Sequence, residues 1–154
     1  MDPDFSSAVE EERLRHLAET HPIISEILKR WSAISLPDAW LSGSIIAQAR
    51  WNESFGFDPL HGIADADLVY FDPMELSETA EAEISRKISE IFHDLPVKMD
   101  VKNQARVHEW YRSKFGYSIA PYRSAVAAIA TFPTTAAAVG IRNEGGLQIV
   151  APFG

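Results

Sequence analysis

Asp65 and Asp67 stand two residues apart at the entry to an apolar run, Leu68-Val69-Tyr70-Phe71. Side chains two apart in a strand share a face. Two carboxylates held that way repel unless a cation offsets them, and hard divalent ions such as Mg²⁺ prefer carboxylate oxygens. Asp100 is a third acid, set inside the apolar segment Val97-Lys98-Met99-Asp100-Val101. If that segment pairs beside the first as a strand, Asp100 reaches the same point. Three converging acids suit two metal ions about 3.5–4 Å apart, the arrangement that clamps both oxygens of an in-line phosphoryl displacement. Upstream, Gly43-Ser44 follows the apolar run Ala39-Trp40-Leu41-Ser42. Glycine lets a backbone approach a phosphate closely, and a helix N-terminus offers free N–H groups and positive potential.

The elements around these residues must hold them in place. Ser6 or Ser7 suits the cap of a first helix running to about Thr20, behind a tail of residues 1–5 expected to be mobile. Pro22 suits the first turn of a second helix, where Ile23, Ile24, Ile27, Leu28 and Trp31 form a helical stripe. A strand over 39–42 turns at Gly43-Ser44 into a helix containing Ile45, Ile46, Ala49, Trp51 and Asn52. Residues 56–64 read as a loop, and Leu68–Phe71 as a strand ended by Asp72-Pro73. Ser77 caps a helix to about Phe92, whose acids Glu78, Glu81, Glu83 and Glu90 read as surface. A strand over 97–101, a helix over 103–115, two short helices around Phe132-Pro133 and a hairpin over 139–151 complete the chain. Helices alternate with strands, so the expected class is α/β (α+β), one domain of residues 1–154 built on a mixed sheet flanked by helices.

The order of these parts resembles the nucleotidyltransferase superfamily typified by DNA polymerase beta. Its hydrophobic-Gly-Ser, Asp-hydrophobic-Asp and lone third acid read here as Leu41-Ser42-Gly43-Ser44, Asp65-Ala66-Asp67-Leu68 and Met99-Asp100-Val101. Within it, Ala64 to Asp72 and Val101-Lys102-Asn103-Gln104-Ala105-Arg106-Val107-His108 are similar to a bacterial family of predicted nucleotidyltransferases with no assigned substrate. Trp51-Asn52, Trp110-Tyr111, Pro121-Tyr122-Arg123-Ser124, Phe132-Pro133 and Val139-Gly140-Ile141-Arg142 fit it too. Members continue past the position of Gly154, so the chain is expected to be truncated at its C-terminus. The resemblance implies transfer of a nucleotidyl group from an NTP to an acceptor hydroxyl or amine, with Mg²⁺ or Mn²⁺ as cofactor and pyrophosphate released. Asp65, Asp67 and Asp100 would hold the metals and carry the catalysis, and Gly43 and Ser44 would hold phosphates. Asn103 and His108 are candidates for substrate contact, though a structural role suits His108 equally. A catalytically inactive nucleotide- or protein-binding member of the fold and a two-metal phosphohydrolase are the competing readings.

Charge narrows the partners. The chain of 154 residues carries a net charge of −8, so it is not expected to coat nucleic acid broadly. Between Lys98 and Arg123, however, six bases stand against Asp100 and Glu109 alone. Arg106 and Arg123 are the preferred phosphate ligands there, since a guanidinium matches phosphate geometry. The acceptor, whether small molecule, protein side chain or RNA end, is not specified by the sequence. The absence of cysteine excludes disulfides, zinc–thiolate sites and Cys nucleophiles. The start is acidic rather than signal-like, and Pro133 interrupts the most apolar stretch, so no membrane span is expected and the cytoplasm is the expected location.

Overall fold

Strand β1, Trp40–Ser42, is only three residues long, yet all three are buried because it lies at the centre of the sheet. The computed structural model of the chain describes residues 3–107, 123–130 and 139–150. Five strands lie in the order β3-β2-β1-β4-β5, with β2 spanning Asp65–Tyr70, β3 Lys98–Asn103, β4 Gly140–Asn143 and β5 Leu147–Val150. Only β2 and β3 run parallel; the other pairs are antiparallel. The parallel pair is joined by helix α5, Glu78–Ile91, as a parallel crossover requires.

Strand alternation sorts the sheet into two faces. Leu41, Ala66, Leu68, Tyr70, Met99, Val101 and Ile141 point to one face and form the main core. Helices α1 (Pro3–Thr20), α2 (Ile24–Lys29), α3 (Trp31–Ile34), α4 (Ser44–Phe55) and α5 pack their apolar residues against it. The opposite face carries Trp40 and Val69, which meet Ala125 and Ile129 of α6, Ala125–Ile129. It also carries the acids, since Asp65 and Asp67 alternate with Ala66 and Leu68.

Several boundaries differ from expectation. Helix α1 starts at Pro3, ahead of the expected caps Ser6 and Ser7. Proline at a first helical position loses no bond and presets the backbone angle. The stripe from Ile23 to Trp31 is broken into α2 and α3 at Arg30, which caps both. Arg30 is held there by Glu26, Asp94 and the Ile91 carbonyl. Strand β3 runs on to Asn103, and the expected 103–115 helix opens as a 3₁₀ turn, Gln104–Arg106. The rest of that helix, with His108, and the Phe132-Pro133 segment lie outside the described residues. Ser77 caps α5 as read, its hydroxyl accepting from the Ala80 N–H at 3.1 Å.

Candidate active site

In the parallel register of β2 and β3, Asp67 lies directly beside Asp100. In the antiparallel register of β1 and β2, Ser42 lies on the other side of Asp67. A row therefore crosses the sheet on the face opposite the main core: Ser42, Asp67, Asp100, with Asp65 one pleat away on β2. The side-by-side strands expected from the sequence are what bring residues 67 and 100 together. Burial, reinforced by the charges of Asp100 and Asp65, pushes the Asp67 carboxyl above its ordinary value. A hydrogen bond from the Ser44 backbone N–H pulls the other way and does not prevail.

That bond joins Asp67 to the strand-to-helix turn. Gly43 precedes α4 with φ +81° and ψ −148°, and no side chain caps the helix there. Instead the first helical N–H, that of Ser44, finds the Asp67 carboxylate on the neighbouring strand. Contact is so close that a Cβ on Gly43 would stand 2.7 Å from Asp67 Oδ2. Only glycine satisfies both the backbone angle and this approach. The chain thus presents a helix N-terminus against one side of Asp67 and a second carboxylate against the other.

Among the described residues, no three His, Asp or Glu side chains converge closely enough to form a ready ligand cage. The acids are neighbours by backbone register. Their chemistry nonetheless fits a hard divalent cation, because the site offers carboxylate oxygens from two adjacent strands. Ser42 Oγ adds an observation that the sequence reading passed over. It is fully buried and, among the described side chains, it is the one buried polar atom without a hydrogen-bond partner. A hydroxyl inside a short apolar strand, one residue before the glycine, is the signal that marked it.

Other candidates fall elsewhere. Arg106 does not face the acids. It is buried, donating from Nη1 to Glu81 Oε1 at 2.6 Å and from Nε to the Leu76 carbonyl at 2.8 Å. Glu81 in turn accepts from the Asn103 backbone N–H at 2.7 Å, so it is an internal anchor rather than a surface acid. Asn103, proposed for substrate contact, is 1% exposed. Its Oδ1 accepts from the N–H groups of Asp72 and Ala105, and its Nδ2 donates to the carbonyls of Asp72 and Glu75. Every polar valence of that amide is filled by backbone, so it clamps the corner after β2 and β3. Arg123 is exposed, one residue ahead of Ser124, which caps α6. Its helix covers the sheet face that carries the acids. Asp38 fixes that cover: its carboxylate accepts from the Ala125 N–H at 2.8 Å and from Trp40 Nε1 at 3.2 Å. Arg142 stacks over the Trp40 ring at 4.1 Å and lies 3.7 Å from Asp38. His21 is buried and holds the start of α2, its Nδ1 accepting from the Ile23 and Ile24 N–H groups.

The family described as nucleotidyltransferase matches residues 29–154. No curated protein matches the chain. Among solved structures, it is similar to one described by the words "the NMR structure of the protein reveals a CCA-adding enzyme head domain". The TM-score is 0.74 at 23% identity, over 93% of this chain and 72% of that one. At that identity the likeness establishes the fold, a mixed five-stranded sheet with flanking helices.

Proposed function

The chain belongs to the nucleotidyltransferase family, and on that premise we propose that it is a metal-dependent enzyme moving a nucleotidyl group from an NTP to an acceptor hydroxyl or amine. The observation that carries this reading is Asp67 itself. It is flanked in register by Asp100, followed along the same face by Asp65, and touched by the N-terminus of α4. Asp65 and Asp67, with Asp100, would hold Mg²⁺ or Mn²⁺. A cation bound there neutralises the triphosphate and lowers the acceptor's pKa. Gly43 and the start of α4 lie against the β- and γ-phosphates, where a side chain would block approach and free N–H groups favour negative charge. The acceptor oxygen or nitrogen attacks the α-phosphorus, its proton passes to the Asp100 carboxylate, and the bond to the β-phosphate breaks to release pyrophosphate. Among the described residues no helix is long and apolar enough to cross a membrane. A chain without cysteine needs no oxidising compartment, and we place its work in the cytoplasm.

The competing reading is nucleotide binding without turnover. Titration calorimetry with an NTP, with and without Mn²⁺, followed by analysis of the released product, separates the readings. Mn²⁺-dependent binding and pyrophosphate release are expected. Binding without any product supports the second reading, inorganic phosphate alone identifies a phosphohydrolase, and no binding refutes both nucleotide readings.

A further inference from the structure

The two sides of Asp67 differ in chemistry. On the β1 side stands the α4 N-terminus, and on the β3 side stands Asp100. Under the transfer reading, on which this inference rests, the triphosphate occupies the β1 side and the acceptor must come in over β3. Strand β3 is an edge strand, so that approach is open along its outer side among the described residues. Its face there is not neutral. Met99, Val101 and Asn103 are buried toward the helices, which turns Lys98, Asp100 and Lys102 to the side of the acids. Both lysines are exposed, and among the described residues neither forms an ion pair. They stand one pleat either side of Asp100, with Cα atoms about 13 Å apart by strand rise. Lys98 is also in register with Asp65, and Lys102 with Val69.

A strand that offers its single acid between two unengaged ammonium groups is built to receive an anion that carries the nucleophile. We infer that the acceptor is a small phosphate ester, its phosphate held by Lys98 and Lys102 and its hydroxyl delivered to Asp100. The size follows from charge. A nucleic-acid strand needs many cationic contacts, each releasing counterions, whereas the chain carries a net charge of −8 and, among the described residues, Arg106 is committed to Glu81 and Arg142 to Asp38.

The test uses the full chain, saturated with Mn²⁺ and a non-hydrolysable NTP analogue, titrated in turn with glycerol 3-phosphate, inorganic phosphate, glycerol and a short oligoribonucleotide. Glycerol 3-phosphate is expected to bind about tenfold or more tighter than glycerol, the scale of one charge-assisted bond. Inorganic phosphate is expected to compete with it. In the variant carrying Lys98→Met and Lys102→Met the preference is expected to vanish while the NTP analogue still binds. Both positions are exposed, so folding is expected to survive, and a thermal midpoint checks it. The inference fails if the wild-type chain shows no phosphate preference, or if the variant keeps it. It fails also if the oligoribonucleotide binds best, or if the variant loses the NTP analogue, which would put the lysines on the triphosphate side. Lysines on an edge strand can serve only to prevent edge pairing; self-association of a variant that keeps its phosphate preference would reveal that role. Failure of the wild-type chain to bind the NTP analogue would refute the transfer reading itself.

Discussion

Replacing Gly43 with alanine tests the contact on which the site is built. The backbone there, at φ +81° and ψ −148°, lies close to a region that is essentially restricted to glycine. Holding alanine in such a region costs roughly 1–3 kcal/mol. The new Cβ would also meet Asp67 Oδ2 at 2.7 Å, too close to be absorbed without movement. If the carboxylate swings away, the chain loses the Ser44 N–H bond, a charge-assisted contact of about 1.5–3 kcal/mol. The total, roughly 3–6 kcal/mol, corresponds to a fall in thermal midpoint on the order of 10 °C for a chain of this size. Gly56 supplies the control. It also has positive φ, +68°, but a Cβ there meets nothing within 4 Å. Gly56→Ala therefore pays only the conformational cost, about 1 kcal/mol and a few degrees. Calorimetric or fluorescence unfolding of both variants compares the two. A double-mutant cycle isolates the contact: in an Asp67→Ala background the obstruction is gone, so Gly43→Ala should cost roughly 1.5–3 kcal/mol less than in the native background. Equal losses for Gly43→Ala and Gly56→Ala, together with zero coupling, would refute the packing of the turn on Asp67.

Arg106→Ala should act first on stability, and on the site only through the loosened strands. It strands the Glu81 carboxylate in a poorly solvated place, which costs about 3–5 kcal/mol, and the paired change Glu81→Gln should recover part of the lost midpoint. A raised KM for NTP at unchanged stability would return Arg106 to the phosphates. Asp67→Asn should raise the thermal midpoint in chelator at neutral pH. The folded-state pKa of Asp67 lies above its ordinary 3.8, so the contribution of Asp67 to stability declines as pH rises through that range. The amide keeps an acceptor for Ser44 without the charge. Mn²⁺ should stabilise the native chain and not the variant; a variant less stable at every pH would contradict this account. The His21 imidazole is held below its ordinary 6.5, chiefly by burial and against the bond to the Pro59 carbonyl. Its neutral form therefore contributes stability above pH 6.5 that is lost as pH falls below it. His21→Asn, which keeps a capping acceptor but does not titrate, should flatten the dependence of the midpoint on pH between 5 and 7; an unchanged slope would rule His21 out.

How far the sequence could be read depended on the separation of the partners. The two-residue spacing of Asp65 and Asp67 puts them on one strand face, and the parallel register of β2 and β3 makes Asp100 the neighbour of Asp67. Capping signals such as Ser77 are equally local, since donor and acceptor lie three residues apart. The Arg106–Glu81 pair joins residues 25 apart, on a helix whose acids look alike along the chain, so local order does not announce it. Of those acids only Glu81 turns inward, standing three, seven and ten residues before Ile84, Ile88 and Ile91 on the helix's apolar stripe, a periodicity that outweighs its charge. The bonds of Asn103 are equally hidden from local order: it sits beside a run of charged residues, yet it bonds the backbone of a corner 28 to 31 residues earlier. The cover on the acid-bearing face was illegible as well, because Asp38 reaches the start of α6 across 87 residues.

These long-range bonds share a purpose that follows from the repulsion at the centre. Three carboxylates on one sheet face oppose folding, so the strands that carry them must be held by contacts that do not depend on a cation. Asn103 and the Glu81–Arg106 pair lock the far end of β2 and β3, at the level of Tyr70 and Asn103 in the register. That end lies three residues along from Asp67, roughly 10 Å by strand rise. Asp38 and Arg142 secure β1 and β4 on the other side. Between these two anchors the acids can repel one another without pulling the strands apart, and the residual repulsion favours cation binding. Weakening an anchor should therefore loosen the register that sets Asp67 beside Asp100. If so, Arg106→Ala would lower Mn²⁺ affinity although Arg106 never touches the ion, and Lys substitution at Arg106, which keeps a charge for Glu81, would preserve more of it.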